Sequence, residues 1–213
     1  MPIILATANP HKVAELRDIL GASGVEVLGL NDAAPGRTFT EPDESGMTFT
    51  ENATIKAISY AKQIGMVCLA DDSGIEIDAL QGAPGVISSH YATDGLETGL
   101  SRAERDAANN ARVLRELHDI PDHRRTARFV CVMCLAAPDG AVLATTAGNF
   151  EGRIGLPGEV PRGANGFGYD PLFLVPPDFT RTSAELTAEE KNQRSHRGAA
   201  ARAMVERLAA LRL

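Results

Sequence analysis

The sequence predicts an α/β fold: a mixed β-sheet flanked by helices on both faces. Three observations point to it. Short apolar runs alternate with helical stripes as far as Pro121, two long strands then follow as a hairpin, and the chain ends in an amphipathic helix. Alternation implies parallel strands with helical crossovers, and a late hairpin makes the sheet mixed.

Each element has its own signal. "PIILATA" is an apolar strand, and Asn9 with Pro10 opens a helix with Val13, Leu16 and Leu20 on one face. "VEVLGL" reads as a second strand, followed by a loop rich in Pro, Gly and acids from Asn31 to Gly46. Ala53, Ala57, Ala61 and Ile64 mark the next helix. "MVCLADDSGIEIDAL" reads as an apolar strand, an acidic corner and another strand, and residues 84 to 100 as irregular. Ala107, Ala111 and Leu114 give a third helix ending near Pro121. The hairpin turns at Pro138-Asp139-Gly140. Thr187 and Glu190 form a capping box, and Ser195 caps a last helix with Ala200, Met204, Leu208 and Leu211 on one stripe.

Composition narrows the function classes. The 213 residues suffice for one domain with a real core, so 1–213 is read as a single unit. No apolar run spans a bilayer, and the N-terminus lacks the basic start of a signal peptide. Three cysteines, an odd and low count, suit a reducing compartment and a cytoplasmic protein. A net charge of -7 disfavours a nucleic-acid surface, but not a small anion met by local cations.

Five stretches could carry chemistry. "TANPHK" (Thr7 to Lys12) puts a hydroxyl, an Asn and a Lys at a helix N-terminus, which suits phosphate; a plain N-cap with a solvent lysine is the simpler reading. "ADDSG" places Asp71 and Asp72 side by side, a repulsion that a cation or hydrogen-bond donors would relieve, and oxygen ligands of this kind suit Mg²⁺. An acidic turn would look the same. "EPDESG", containing Glu44, reads by itself as a solvated loop before the helix that carries Lys56. "GANGFGYDP" sets Phe167 and Tyr169 among glycines, either as a stacking site or as core aromatics. "EKNQRSHRG" puts His196 and Arg197 in a helix's first turn, against the dipole, so either an anion sits there or the turn is exposed. Cys131 and Cys134 have C-x-x-C spacing, but on a strand they face opposite ways, so they read as core.

Taken together, "LATANPHKVAEL", "ESGMTFTENATIKA", "ADDSGIEIDALQGAPGV", "RGANGFGYDPLF" and "AELTAEEKNQRSHRGAA" closely resemble the inosine triphosphate pyrophosphatases, over residues 5 to 200. The resemblance implies an elongated mixed sheet, two lobes with an active-site cleft between them, and a homodimer. It also implies Mg²⁺-dependent hydrolysis of ITP, dITP and XTP to the monophosphate and pyrophosphate. The alternative is a related pyrophosphatase acting on other modified nucleotides. By the same resemblance Asp72 is the catalytic acid–base, and Glu44 with Asp71 or Asp72 holds Mg²⁺. Thr7, Ala8, Asn9, Pro10, His11, Lys12 and Lys56 would hold the triphosphate, and Ser73, Phe167, Gly168, Tyr169, Asp170, Lys191, His196 and Arg197 the nucleotide. Arg197, a donor only, would meet the 6-oxo group of a deaminated purine and mismatch adenine's amino group. One departure is His90, in "ISSHYATDG", where the family commonly has Arg.

Overall fold

The computed structural model describes residues 2–7 and 9–212; the side chains of Pro10 and His11 lie outside the described set. Six strands form one sheet: β1 (Ile3–Leu5), β2 (Val27–Gly29), β3 (Cys68–Ile77), β4 (Thr126–Ala136), β5 (Val142–Ile154) and β6 (Phe173–Leu174), in the order β2-β1-β3-β4-β5-β6. β1 pairs parallel with β2 and β3, while β5 and β6 are antiparallel, so the sheet is mixed as expected. The helices are α1 (Pro10–Gly21), α2 (Leu30–Ala33), α3 (Phe49–Ile64), α4 (Arg102–Glu116), α5 (Ala188–Arg194) and α6 (His196–Leu211). Among the described residues no helix is long and apolar enough to cross a membrane.

The chain divides into two compact units. The first takes Met1–Asp72, Cys131–Asn149 and Asn192–Leu213; the second takes Ser73–Val130 and Phe150–Lys191. Each has its own apolar core. In the first, Leu16 and Leu20 of α1 and Ala201, Met204 and Leu208 of α6 pack with Leu5, Leu69, Cys131 and Met133. In the second, Ile75, Ile77, Val113, Leu117, Phe129, Phe150, Tyr169 and Phe173 cluster, and Phe173 meets Phe129 and Phe150 with ring centroids 4.6 and 5.4 Å apart.

Helix ends follow the sequence signals. Thr48 and Glu51 cap α3 reciprocally, Ser101 and Glu104 do so for α4, and Thr187 with Glu190 stands before α5. Ser195 Oγ accepts from Gly198 N at 3.0 Å to start α6. Leu211 departs from the expected stripe: it is 40% exposed, because the last turn runs past the core that holds Met204 and Leu208.

The main correction concerns "ADDSG". It is not a corner between two strands. β3 runs unbroken from Cys68 to Ile77, with Asp71 and Asp72 in mid-strand. Gly74 marks a close approach rather than a turn. Ser88 donates to the Gly85 carbonyl at 2.6 Å and accepts from Ile75 N at 2.9 Å, so a Cβ on Gly74 would meet Ser88 and lie 2.7 Å from that carbonyl. The segment expected to be irregular after Pro84 contains 3-10 turns over Gly85–Thr93.

The cysteine expectation is met in detail. Cys131 Sγ lies 3.9 Å from Asp71 Oδ2, whereas Cys134 bonds Thr54 of α3. All three cysteines are buried, and burial pushes the Cys68 and Cys131 thiols up to about 12. At pH 8 such a thiol is thiolate in about one molecule in 10⁴. Ellman's reagent is therefore expected to titrate no thiol in the native protein and three in guanidinium; rapid native reaction of any one would contradict this packing.

Candidate active site

In the first unit the site is assembled around two neighbouring carboxylates. Successive side chains of a strand point to opposite faces, so Asp71 and Asp72 meet different helices. Asp71 receives Lys12 Nζ of α1 at 2.8 Å and Arg197 Nη2 of α6 at 3.5 Å. Asp72 receives Lys56 Nζ of α3 at 2.9 Å, and Lys56 also reaches Glu44 at 2.7 Å.

The two carboxyls are thereby driven apart in acidity. Burial would raise the pKa of Asp71, but the charges of Lys12, Arg197 and Lys56 outweigh it and hold the group well below the usual carboxylate range. Burial raises the pKa of Asp72 too, and there the pull of Lys56 and Lys12 does not fully offset it. Lys56 is the mirror case: burial would lower its pKa, yet Asp72, Glu44 and Asp71 keep it firmly protonated. Two adjacent carboxyls with opposite shifts form a pair in which one is a fixed charge and the other a proton acceptor.

Thr7, Asn9 and Lys12 stand at the β1–α1 junction. Thr7 Oγ1 accepts from Asn9 N at 3.2 Å, and Asn9 Oδ1 faces Lys12 N at 3.5 Å, which shapes the helix start. The expected contacts of Ala8, Pro10 and His11 fall outside the described residues. His196 is buried in the first turn of α6. Arg197 is 1% exposed, and its guanidinium donates to Glu15 as well as to Asp71. The cation that opposes the helix dipole is answered by two carboxylates of its own unit. Glu15 carried no sequence signal beyond its position, one helical turn after Lys12.

In the second unit Gly166, Phe167 and Gly168 form a tight loop. A Cβ on Gly166 would strike the Asp170 carboxylate and lie 3.0 Å from Lys191 Nζ, and the residue's φ is +76°, so glycine is required there. Asp170 braces the loop, accepting from Phe167 N at 2.9 Å and from Lys191 Nζ at 2.6 Å. Tyr169, expected at the nucleotide, belongs instead to the core: it is 4% exposed and its hydroxyl donates to the Ser88 carbonyl at 2.7 Å. Phe167 is half-buried, with Lys191 Nζ 5.2 Å and Arg102 Cζ 4.7 Å from its ring centroid. Arg102, Asp106 and Asn110, all near this loop, were not singled out in the sequence because nothing marks them within an ordinary polar helix. Ser73 is half-buried beside Asp72 along β3. His90 is satisfied by Ser89 Oγ at 2.9 Å and Glu97 at 3.0 Å.

Mg²⁺ can be tested against this donor set. Among the described residues no group of three or more His, Cys, Asp or Glu forms a ready cage. A cage is not required, because Mg²⁺ keeps several waters and takes one or two carboxylates plus phosphate oxygens. Glu44 and Asp72 already converge on one cation, Lys56 Nζ, and Asp72 Oδ2 is buried without a hydrogen-bond partner. This pair fits the ion. Asp71, the alternative ligand, is committed to Lys12 and Arg197 on the other side of the strand.

Over residues 3–207 the chain matches the Ham1 family. A dITP/XTP pyrophosphatase of Nitratidesulfovibrio vulgaris is 50% identical over 204 residues, covering 96% of this chain and 94% of that protein. One from Exiguobacterium sibiricum is 48% identical over 200 residues, covering 94% and 93%. The structure of a Ham1 protein from Coxiella burnetii is similar with a TM-score of 0.80 at 40% identity, over 99% of each chain. A nucleoside-triphosphatase / dITP/XTP pyrophosphatase from Mycobacterium abscessus is similar at 0.67 and 41% identity, covering 100% of this chain and 96% of that one.

Proposed function

The chain belongs to the Ham1 family, and on that premise we propose that it hydrolyses deaminated purine nucleoside triphosphates (ITP, dITP and XTP) to the monophosphate and pyrophosphate, clearing them from the nucleotide pool. The observation that carries the chemistry is the placement of Asp71 and Asp72 in one strand, Asp71 held by Lys12 and Arg197 and Asp72 by Lys56, which also reaches Glu44. Water attack on a phosphoryl group needs a base and a means of spreading negative charge. Asp72 takes the water's proton: its carboxyl is buried, and its Oδ2 has no hydrogen-bond partner. Lys56 holds Asp72 in place, and Lys12 at the start of α1 meets the phosphates. Asp71 aligns Lys12 and Arg197. Glu44 and Asp72 would hold Mg²⁺, which supplies neutralisation of the charge on the leaving pyrophosphate.

The base is bound by stacking on Phe167, which accepts any purine. Selection then falls to donors at the ring. Lys191 can only donate and stands against Phe167, so a 6-oxo group suits it and a 6-amino group does not. Arg197, the other donor-only side chain at the base in this reading, donates to Glu15 and Asp71 as Lys191 does to Asp170. The cytoplasm and a homodimer complete the proposal, supported by the cysteine usage and by the resemblance of the five stretches; light scattering on the purified protein tests the dimer.

A pyrophosphate-release assay tests the whole reading. ITP and XTP are expected to exceed ATP and GTP in kcat/KM by roughly 10²-fold or more, the scale of a mispaired polar contact, and EDTA is expected to abolish turnover. Equal rates on all four nucleotides would sink the specificity, and full activity in EDTA would remove the metal.

A further inference from the structure

Three polar residues of α4 follow a helical stripe at i, i+4 and i+8, and all three engage the loop that carries Phe167. Asp106 Oδ2 accepts from Gly168 N at 3.0 Å, and Asn110 Nδ2 donates to the Gly168 carbonyl at 3.0 Å, so both sides of that residue are gripped from one helix. One turn earlier, the Arg102 guanidinium lies 4.7 Å from the centroid of the Phe167 ring. Its Nε is buried without a hydrogen-bond partner, and the Asp106 carboxylate is 3.9 Å away, beyond hydrogen-bond reach. The guanidinium therefore packs on the ring face, with Asp106 as a longer-range ion-pair partner. Arg102 is also the first residue of its helix, where the dipole disfavours a cation; the aromatic face, the Asp106 carboxylate and solvent together offset this.

We propose that Arg102, Asp106 and Asn110 form a positioning stripe that sets the Phe167 ring for a stacked purine, with Arg102 orienting the ring through its charge. This rests on the reading of Phe167 as the base-stacking residue. Asp106 and Asn110 fix the backbone after the ring, and Asp170 fixes the backbone at the ring itself. Arg102 and Lys191 both bring a cation over the ring.

The test separates base from phosphate binding. Calorimetric titration of IMP and, separately, of pyrophosphate would be done on the unaltered protein and on Arg102→Gln, Arg102→Lys and Asp106→Ala. Arg102→Gln keeps a planar polar end without the charge, and is expected to weaken IMP by about five- to tenfold. Arg102→Lys keeps a cation and is expected to stay within about twofold of the original. Asp106→Ala, which frees Gly168 N, is expected to weaken IMP like Arg102→Gln. Pyrophosphate affinity is expected to be unchanged throughout, and turnover of ITP to show a raised KM with kcat within about twofold. Unchanged IMP affinity in Arg102→Gln would overturn the proposal, as would an equal loss of pyrophosphate affinity, the mark of general disruption. If the unaltered protein does not bind IMP, the stacking reading itself fails.

Discussion

Asp72→Asn is expected to lower kcat for ITP by about 10²–10⁴-fold, the usual contribution of a general base, while the protein stays folded. That range corresponds to about 2.7–5.4 kcal/mol of transition-state stabilisation. The fold is expected to survive because the cost of burying the Asp72 carboxylate and its attraction for Lys56 work against each other. The neutral amide removes the burial cost of the charge and gives up part of the attraction for Lys56. Asn retains an oxygen for Lys56, and Lys56 retains Glu44 at 2.7 Å. The melting temperature should therefore stay within a few degrees of the original while pyrophosphate release collapses. Near-normal release would reassign the base, and a collapse of both stability and activity would show that Asp72 is structural.

The sequence made most of the fold legible, because caps, apolar stripes and the Pro-Asp-Gly turn are local signals that the structure reproduces at Thr187, Ser195 and residues 138–140. What it concealed was non-local. Gly74 reads as a turn residue from its neighbours, and only the approach of Ser88 and Gly85 explains it as a glycine inside a strand. That single difference moves the two aspartates from a corner into mid-strand, and so onto opposite faces, which is why they cannot act as one ligand pair. Tyr169 was ambiguous because an aromatic between glycines looks the same whether it faces a ligand or, as here, the Ser88 carbonyl. Arg197 was legible as a cation with a purpose, but its partners Glu15 and Asp71 lie 182 and 126 residues away in sequence. No spacing rule links them.

Asp71→Ala tests the other half of the carboxylate pair, and the expected loss there is of stability first. Asp71 has a side chain fully shielded from solvent, and it faces Lys12 and the equally buried Arg197. Truncating one partner of such a group leaves charge in the interior with too few acceptors, at a cost of about 3–5 kcal/mol. For a chain of this size each kcal/mol is about 2–4 °C of melting temperature, so a fall of roughly 6–20 °C is expected in a thermal melt. Part of the cost is softened, since Glu15 still accepts from Arg197 and Lys12 is partly solvated. The sign with pH follows from the depressed carboxyl. Its contribution is fully present above the unfolded value of about 3.9 and is lost as pH falls below it, so the gap between the unaltered protein and Asp71→Ala should be flat near neutrality and shrink in acid. A second change decides the cause. If the penalty is unpaired buried charge, adding Arg197→Met to Asp71→Ala should recover much of the lost stability, because removing both partners is often nearly neutral. If the two changes simply add, the penalty is lost packing, and the carboxylate's role as the counter-charge that aligns Lys12 and Arg197 is wrong.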